Sequence, residues 1–192
     1  MKNLLKKILI LSVLAFTISC SKDEEDKKIF EVENFLTGYL TVSGYSIITT
    51  LVGNQASELG IFFIPLVDGK ITSIEVKLPN ANPQLRVTLW DKNQASILKT
   101  MIVNVAQDGM LSTIPIEPII LEKNKEYVLS INTTNWYVHR RPNGSEAQYP
   151  ITVKNIKITA YKFTDGTVQN LPTTINSNVY EGDCNFNFQQ TE

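Results

Sequence analysis

The chain has 192 residues, a net charge of −1 at pH 7 and 43% hydrophobic residues. This length and composition predict one globular domain with a hydrophobic core of ordinary size. A chain so close to neutrality lacks the basic field that binding to nucleic-acid phosphates requires, so we expect no nucleic-acid partner.

The first 19 residues have the pattern of a bacterial signal peptide. A lysine-rich start is followed by the apolar run 8–18, which is too short to span a bilayer as a mature helix. The run ends at Ser19-Cys20, and this junction resembles the bacterial lipobox. The resemblance implies that residues 1–19 are removed and that the Cys20 thiol is lipidated, which anchors the chain to a membrane. A plain secretory signal is the alternative.

Residues 20–29 form a charged tether after the cysteine. A lysine followed by acidic residues at this place resembles the surface-export signal of Bacteroidetes lipoproteins. The resemblance implies a lipid anchor in the outer membrane and a domain that faces the cell surface. An ordinary solvated linker is the alternative.

Residues 58–91 predict three strands joined by two turns. Leu59 to Ile64 is apolar on both alternating sets, which is typical of a strand covered on both faces. Two alternating strands follow, and their inward positions are Thr72, Ile74, Val76 and Leu78, then Leu85, Val87 and Leu89. Strict alternation turns Trp90 outward, so this ring is exposed unless a bulge occurs or the other strands cover it.

The same stretch resembles a bacterial family. The matching residues are Glu58-Leu59-Gly60, Phe63-Ile64-Pro65, Asp68-Gly69 with Ile71, Val87 to Asp91, Pro118 to Leu121 and Lys125 to Val128. They resemble domain of unknown function 4082, over roughly residues 58–141. The resemblance implies a jelly-roll β-sandwich in a secreted or cell-surface protein, often beside carbohydrate-related or adhesion modules, and it implies no reaction.

The rest of the chain adds short strands separated by glycine, proline, asparagine and aspartate. Strands are predicted within 30–51, 96–105, 111–121, 126–131, 151–163 and 179–188, with a turn at 53–55 and no amphipathic helix. Prolines 115 and 118 mark the 111–121 segment as an edge strand or two short pieces. We therefore predict an all-β fold, a single jelly-roll-like β-sandwich over residues 30–192.

Catalytic patterns are scarce in this chain. It has one histidine, no nucleophile elbow and no phosphate loop, and Cys184 alternates with Phe186 and Phe188 as a core residue would. Asp-Gly pairs are explained as turns, so we predict no metal and no cofactor. A hydrolase would need two facing carboxylates from among Glu75, Glu117, Glu126 and Glu181, and no pattern indicates such a pair.

The most unusual stretch is 135–141, Asn-Trp-Tyr-Val-His-Arg-Arg. As a strand it places Asn135, Tyr137, His139 and Arg141 in one row, and the following loop carries Tyr149. Rings stack on sugars, and guanidinium groups bind hydroxyls and carboxylates. We predict a ligand-binding face formed by Trp136, Tyr137, His139, Arg141 and Tyr149. The alternative is a core Trp136, a half-buried Tyr137 and an ordinary polar face.

These observations predict a non-catalytic envelope lipoprotein whose sandwich binds a glycan or serves in adhesion. The first alternative is a structural or accessory module that binds an envelope protein, and the second is a glycoside hydrolase-like enzyme. A broad exposed apolar patch, or an open edge at residues 111–121, would favour the protein-binding alternative.

Overall fold

The structure, a computed structural model, describes residues 29–192. The predicted signal peptide, the lipidated Cys20 and nearly all of the tether lie outside the described residues, so these predictions stay predictions. None of the helices in the described part is long and apolar enough to cross a membrane.

The described chain consists of antiparallel strands and one helix. In order they are β1 (Val32–Asn34), α1 (Leu36–Ser43), β2 (Ile47–Pro65), β3 (Gly69–Lys77), β4 (Asn82–Asp91), β5 (Ser96–Val105), β6 (Leu111–Leu121), β7 (Tyr127–Arg140), β8 (Ile151–Val153), β9 (Ile156–Asp165), β10 (Thr174–Ile175), β11 (Val179–Glu181) and β12 (Cys184–Gln190).

The strands form two sheets that pack face to face. The smaller sheet has four strands in the order β1-β12-β3-β6. The larger has eight, with the path β10-β9-β2-β7-β4-β5 and with β8 on β9 and β11 on β7. The predicted all-β sandwich is confirmed.

Alternation along the strands sets the core between the sheets. The inward positions predicted for β4 are confirmed, as are Tyr127, Leu129 and Ile131 of β7, and all are buried. From the smaller sheet, Ile74 and Val76 of β3 face them beside Cys184, Phe186 and Phe188 of β12. Thr72 is only half-buried, because the register between β3 and β6 shifts between Ile71 and Ser73.

The strands predicted within residues 30–51 are confirmed by β1 and the start of β2, but the prediction of no amphipathic helix is wrong, because helix α1 lies between them. Phe35, Tyr39 and Ser43 are four residues apart, so they share one helix face, and all three are buried. Gly44 ends the helix at a φ of 73°, a left-handed conformation that glycine adopts without strain. Thr41 and Val42 have strand propensity, but burial of the two rings determines the local structure.

The predicted turn at residues 53–55 is also wrong. Val52 lies opposite Asn135 and Ser57 opposite Thr133, so four residues of β2 bulge against one residue of β7. The glycine and asparagine of this segment serve a bulge within one long strand, because pairing with β7 resumes on both sides of it.

An irregular segment covers the outer face of the larger sheet and buries Trp90. This segment, residues 166–173, is called the strap. Trp90 packs with Phe62 and Val128, and Leu171 of the strap lies against them. The register between β4 and β5 also shifts between Leu89 and Trp90. Trp90 is therefore buried and not exposed, but its cover includes the irregular strap, whereas the sequence predicted covering by strands alone.

Candidate functional site

Trp136 lies in the core of the sandwich. Its ring is buried with Val138, and its Nε1 donates a hydrogen bond to Glu181 Oε1 at 3.3 Å. The other oxygen of Glu181 accepts a hydrogen bond from Tyr161 at 3.0 Å. A buried ring whose polar atom is satisfied internally is typical of packing, so Trp136 does not contribute to a surface.

The predicted exposed row on β7 does not form, because His139 and Asn135 are buried. At this end β7 is flanked on both sides, by Ile48 of β2 and Tyr180 of β11. The His139 Nε2 forms a hydrogen bond with Asp183 Oδ1, and the centroid of the His139 ring lies 5.8 Å from that of Tyr180. Neighbouring strands and rings therefore cover the imidazole that we expected to face solvent.

Tyr137 is half-buried and lies apart from the other predicted ligand residues. The Lys77 ammonium stands 5.0 Å from the centre of its ring, a cation–π contact. The phenol oxygen comes close to Gly109, at the turn between β5 and β6. The Tyr137 side chain therefore contacts Lys77 of the smaller sheet and the turn at Gly109.

Arg141 and Tyr149 lie near helix α1 but point to different partners. Arg141 Nη1 donates to the Glu146 carbonyl at 2.6 Å, while the Tyr149 and Tyr39 hydroxyl groups are 2.6 Å apart. Arg141 lines an open cleft of about 250 Å³. The cleft is formed by Val42, Ser43, Arg141, Gln148, Pro150, Ile151 and Thr152. Of the predicted ligand residues, it contains Arg141.

Tyrosine side chains form a cluster next to this cleft. The rings of Tyr39, Tyr45, Tyr149, Tyr161 and Tyr180 lie within 7 Å of at least one other member. Burial raises the pKa of Tyr39, Tyr161 and Tyr180 well above the usual value, and the Glu181 carboxylate raises that of Tyr161 further. Burial also raises the pKa of the Cys184 thiol. These groups are therefore neutral at physiological pH.

The predicted candidate carboxylates are mostly engaged by other side chains. Glu75 accepts from Asn34 and Asn187, and Glu126 accepts from Thr159 and pairs with Lys92. Within residues 29–192, no group of three or more histidine, cysteine, aspartate or glutamate side chains is arranged to hold a metal ion.

A second cleft lies between β5, an edge of the larger sheet, and β6, an edge of the smaller one. Its volume is about 320 Å³, and it is called the edge cleft. Its lining consists of Lys99, Met101, Ile102, Val103, Ile114, Pro115, Ile116, Glu117 and Ile119. Apart from one lysine and one glutamate, the lining is apolar.

The two strands that form the edge cleft carry further exposed apolar side chains outside its lining. Ile97 and Leu98 of β5 and Leu111 and Ile120 of β6 are exposed, as is Ile102 within the cleft. Sequence reasoning identified β6 as an edge strand but did not identify this cleft. The sequence did contain a signal, because Ile119-Ile120 and Ile97-Leu98 are pairs of adjacent apolar residues. Adjacent residues of a strand point to opposite faces, and a strand with only one face on the core needs apolar residues on that face alone.

Comparison of the chain with models of known protein families finds no match, and comparison with the curated proteins finds none either. The resemblance to domain of unknown function 4082 therefore stays a prediction.

Proposed function

We propose that the chain is a cell-envelope lipoprotein whose non-catalytic β-sandwich binds a protein partner through the edge cleft. The single observation that carries this proposal is the apolar lining of the edge cleft. Exposed contiguous apolar surface is typical of interaction sites, because isolated domains rarely leave it in water. Of the functions predicted from sequence, the accessory module that binds an envelope protein is thus the best supported.

The two edges indicate how the partner binds. Pro115 and Pro118 have no N–H group, so β6 is a poor template for strand addition, and Lys99 places a charge on β5. The partner therefore inserts apolar side chains between the sheets and does not extend either sheet. Lys99 and Glu117 carry opposite charges, so the net charge of the cleft is close to zero, which favours a partner with an uncharged contact surface.

The membrane location in this proposal rests on the sequence. The Ser19-Cys20 junction supports lipidation, and the lysine and acidic residues after it support an outer-membrane anchor with the domain facing the cell surface. The partner is accordingly an envelope protein.

The edge cleft is tested by photo-crosslinking the full chain in the bacterium that produces it. Benzoylphenylalanine replaces Ile102, which is 57% exposed, and in the matched control it replaces Ile175 on β10, which is 65% exposed. We expect a discrete adduct to an envelope protein from position 102 and not from position 175. Equal adducts at both positions, or none at either, would contradict the proposal.

Glycan binding is the second candidate, supported by the cleft beside Arg141. The guanidinium, the Gln148 amide and the Thr152 hydroxyl are types of group that bind sugar hydroxyls and carboxylates. On a glycan array, we expect Arg141→Ala in the full chain to weaken binding about tenfold or more, the effect of losing a charge-assisted hydrogen bond. Tyr137→Ala is the control and should bind normally. The absence of any bound glycan would eliminate this candidate.

A further inference from the structure

Within residues 29–192, the first half of β2 is a sheet edge that no other strand covers. Residues 47–52 pair with β7 on one side, but β9 pairs with β2 only from Ser57 onward. All six residues are exposed, and Ile48 and Val52 are each 60% exposed. The sequence of this segment is Ile-Ile-Thr-Thr-Leu-Val, which has high strand propensity and no charge. Such an edge is a template for pairing with another strand.

In the described part of the chain, the strands at the ends of the two sheets and the two short strands off the main path are protected. β6 carries two prolines and β5 carries a lysine. β1, β8, β10 and β11 are only two or three residues long. Short strands, prolines and lysines are the usual protection against edge pairing. The six-residue edge of β2 has none of these, which indicates that another strand covers it.

The charge pattern indicates what that strand is. From Tyr45 to Ser57 the chain has no charged residue, so the segment gives a charged partner no attraction. A second copy of the same strand meets no like charge and offers the same β-branched and apolar side chains. Antiparallel pairing of identical strands also closes on itself through a two-fold axis, which limits the assembly to a dimer.

We propose that residues 47–52 pair antiparallel with the same residues of a second copy of this chain, joining the two larger sheets into one. With the two-fold axis perpendicular to the sheet at Thr50, this residue lies opposite itself. Ile48 then lies opposite the partner's Val52, and Thr49 lies opposite the partner's Leu51. Residues that are directly opposite share a face, so these pairs bring apolar and threonine side chains into contact.

The axis position makes the proposal testable by disulfide trapping of the full chain in its native membrane. Opposed residues of an antiparallel pair have Cα atoms about 4.5–5.5 Å apart, which a disulfide spans. We expect Thr50→Cys to give a several-fold higher yield of disulfide-linked dimer under mild oxidation than Val168→Cys. Val168 lies on the strap, is 68% exposed and serves as the matched control for random collision. Equal dimer yields from the two variants would overturn the proposal.

A second substitution tests whether the disulfide-linked dimer forms because the two strands pair or only because the two chains come close. Ile48→Lys in the Thr50→Cys background places a charge against the partner's Val52 and should reduce the dimer yield several-fold. Ile102→Lys in the same background changes the edge cleft and should leave the dimer yield unchanged. The two surfaces are thus tested by separate variants, so a failure of the proposed function can be distinguished from a failure of this proposal. Labelling of the buried Cys184 thiol, located by peptide mapping to separate it from the thiol at position 50, reports folding, because Cys184 reacts with a thiol reagent only when the domain opens. An undiminished yield with Ile48→Lys in folded protein would overturn the pairing.

Discussion

Phenol and carboxylate groups make the buried polar contacts at the end of the sandwich next to helix α1. Tyr39 pairs with Tyr149 through their hydroxyl groups, Tyr161 donates to Glu181, and Tyr180 donates to the Cys184 carbonyl at 3.1 Å. Each hydroxyl that leaves water thus finds a partner, which removes most of the cost of its burial. Burial also keeps these phenols protonated, and this has a measurable consequence at alkaline pH.

We predict that the domain loses stability steeply above about pH 10, the ordinary pKa of tyrosine. Burial raises the pKa of Tyr39, Tyr161 and Tyr180, so the folded state keeps protons that the unfolded state releases. Stability is therefore fully present below the unfolded pKa and falls as the pH rises, by about 1.4 kcal/mol per pH unit for each tyrosine. Denaturant unfolding from pH 8 to pH 12 measures it.

Tyr161→Phe provides the control for that prediction. It removes one phenol with a raised pKa, so the loss of stability per pH unit should decrease by one proton equivalent. A rise in tyrosinate absorbance near pH 10 that is smaller in Tyr161→Phe, with the far-ultraviolet circular dichroism of the folded state retained, would contradict the prediction.

At the scale of elements, the strap is held by hydrogen bonds to strands of the larger sheet. Arg86 Nη1 donates to the Thr167 carbonyl at 3.0 Å, Asn132 Nδ2 donates to the Gly166 carbonyl at 2.9 Å, and Gln169 Nε2 donates to Thr88 Oγ1 at 2.9 Å. Gly60 of β2 lets the strap approach, because a Cβ there would lie 2.8 Å from Pro172 Cγ. The strap is therefore built into the fold and provides a second apolar layer.

We predict that Leu171→Ala destabilises the domain by about 1–2 kcal/mol, the expected cost for a half-buried leucine. Leu171 packs against Phe62, Trp90 and Val128, so its truncation also opens Trp90 to solvent. Denaturant unfolding measures the stability, and iodide quenching of tryptophan fluorescence measures the exposure.

Val168→Ala is the matched control on the same strap, because its side chain is 68% exposed. It should change the free energy of unfolding by less than about 0.5 kcal/mol and leave the quenching unchanged. If both substitutions cost the same, the strap does not act as a packed cover.

At the scale of the whole molecule, the two proposed interaction surfaces arise from different features of the strand order. The edge cleft exists because β5 and β6 end their respective sheets. The unprotected edge of β2 exists because β9 pairs with β2 only from Ser57, so an interior strand becomes an edge along residues 47–52. A protein partner and a second copy could therefore bind the same molecule through separate strands.

The sequence by itself determined which residues of most strands face the core. The inward positions of β4, β7 and β12 follow from a period of two, which is a property of the extended backbone of each strand. The edge position of β6 followed from Pro115 and Pro118, since proline cannot donate to a ladder. These features depend on neighbours in the chain, so a single sequence contains the information.

Only the tertiary structure decided the burial of His139, the covering of Trp90, helix α1 and the edge cleft. The outcome depends on segments distant in the chain. For His139 these are Tyr180 and Asp183, and for Trp90 it is the strap. Alternation assigns a side chain to a face of its strand, but whether that face is wet depends on what packs there. That packing is a balance of burial energies over the whole chain, which a local pattern does not contain.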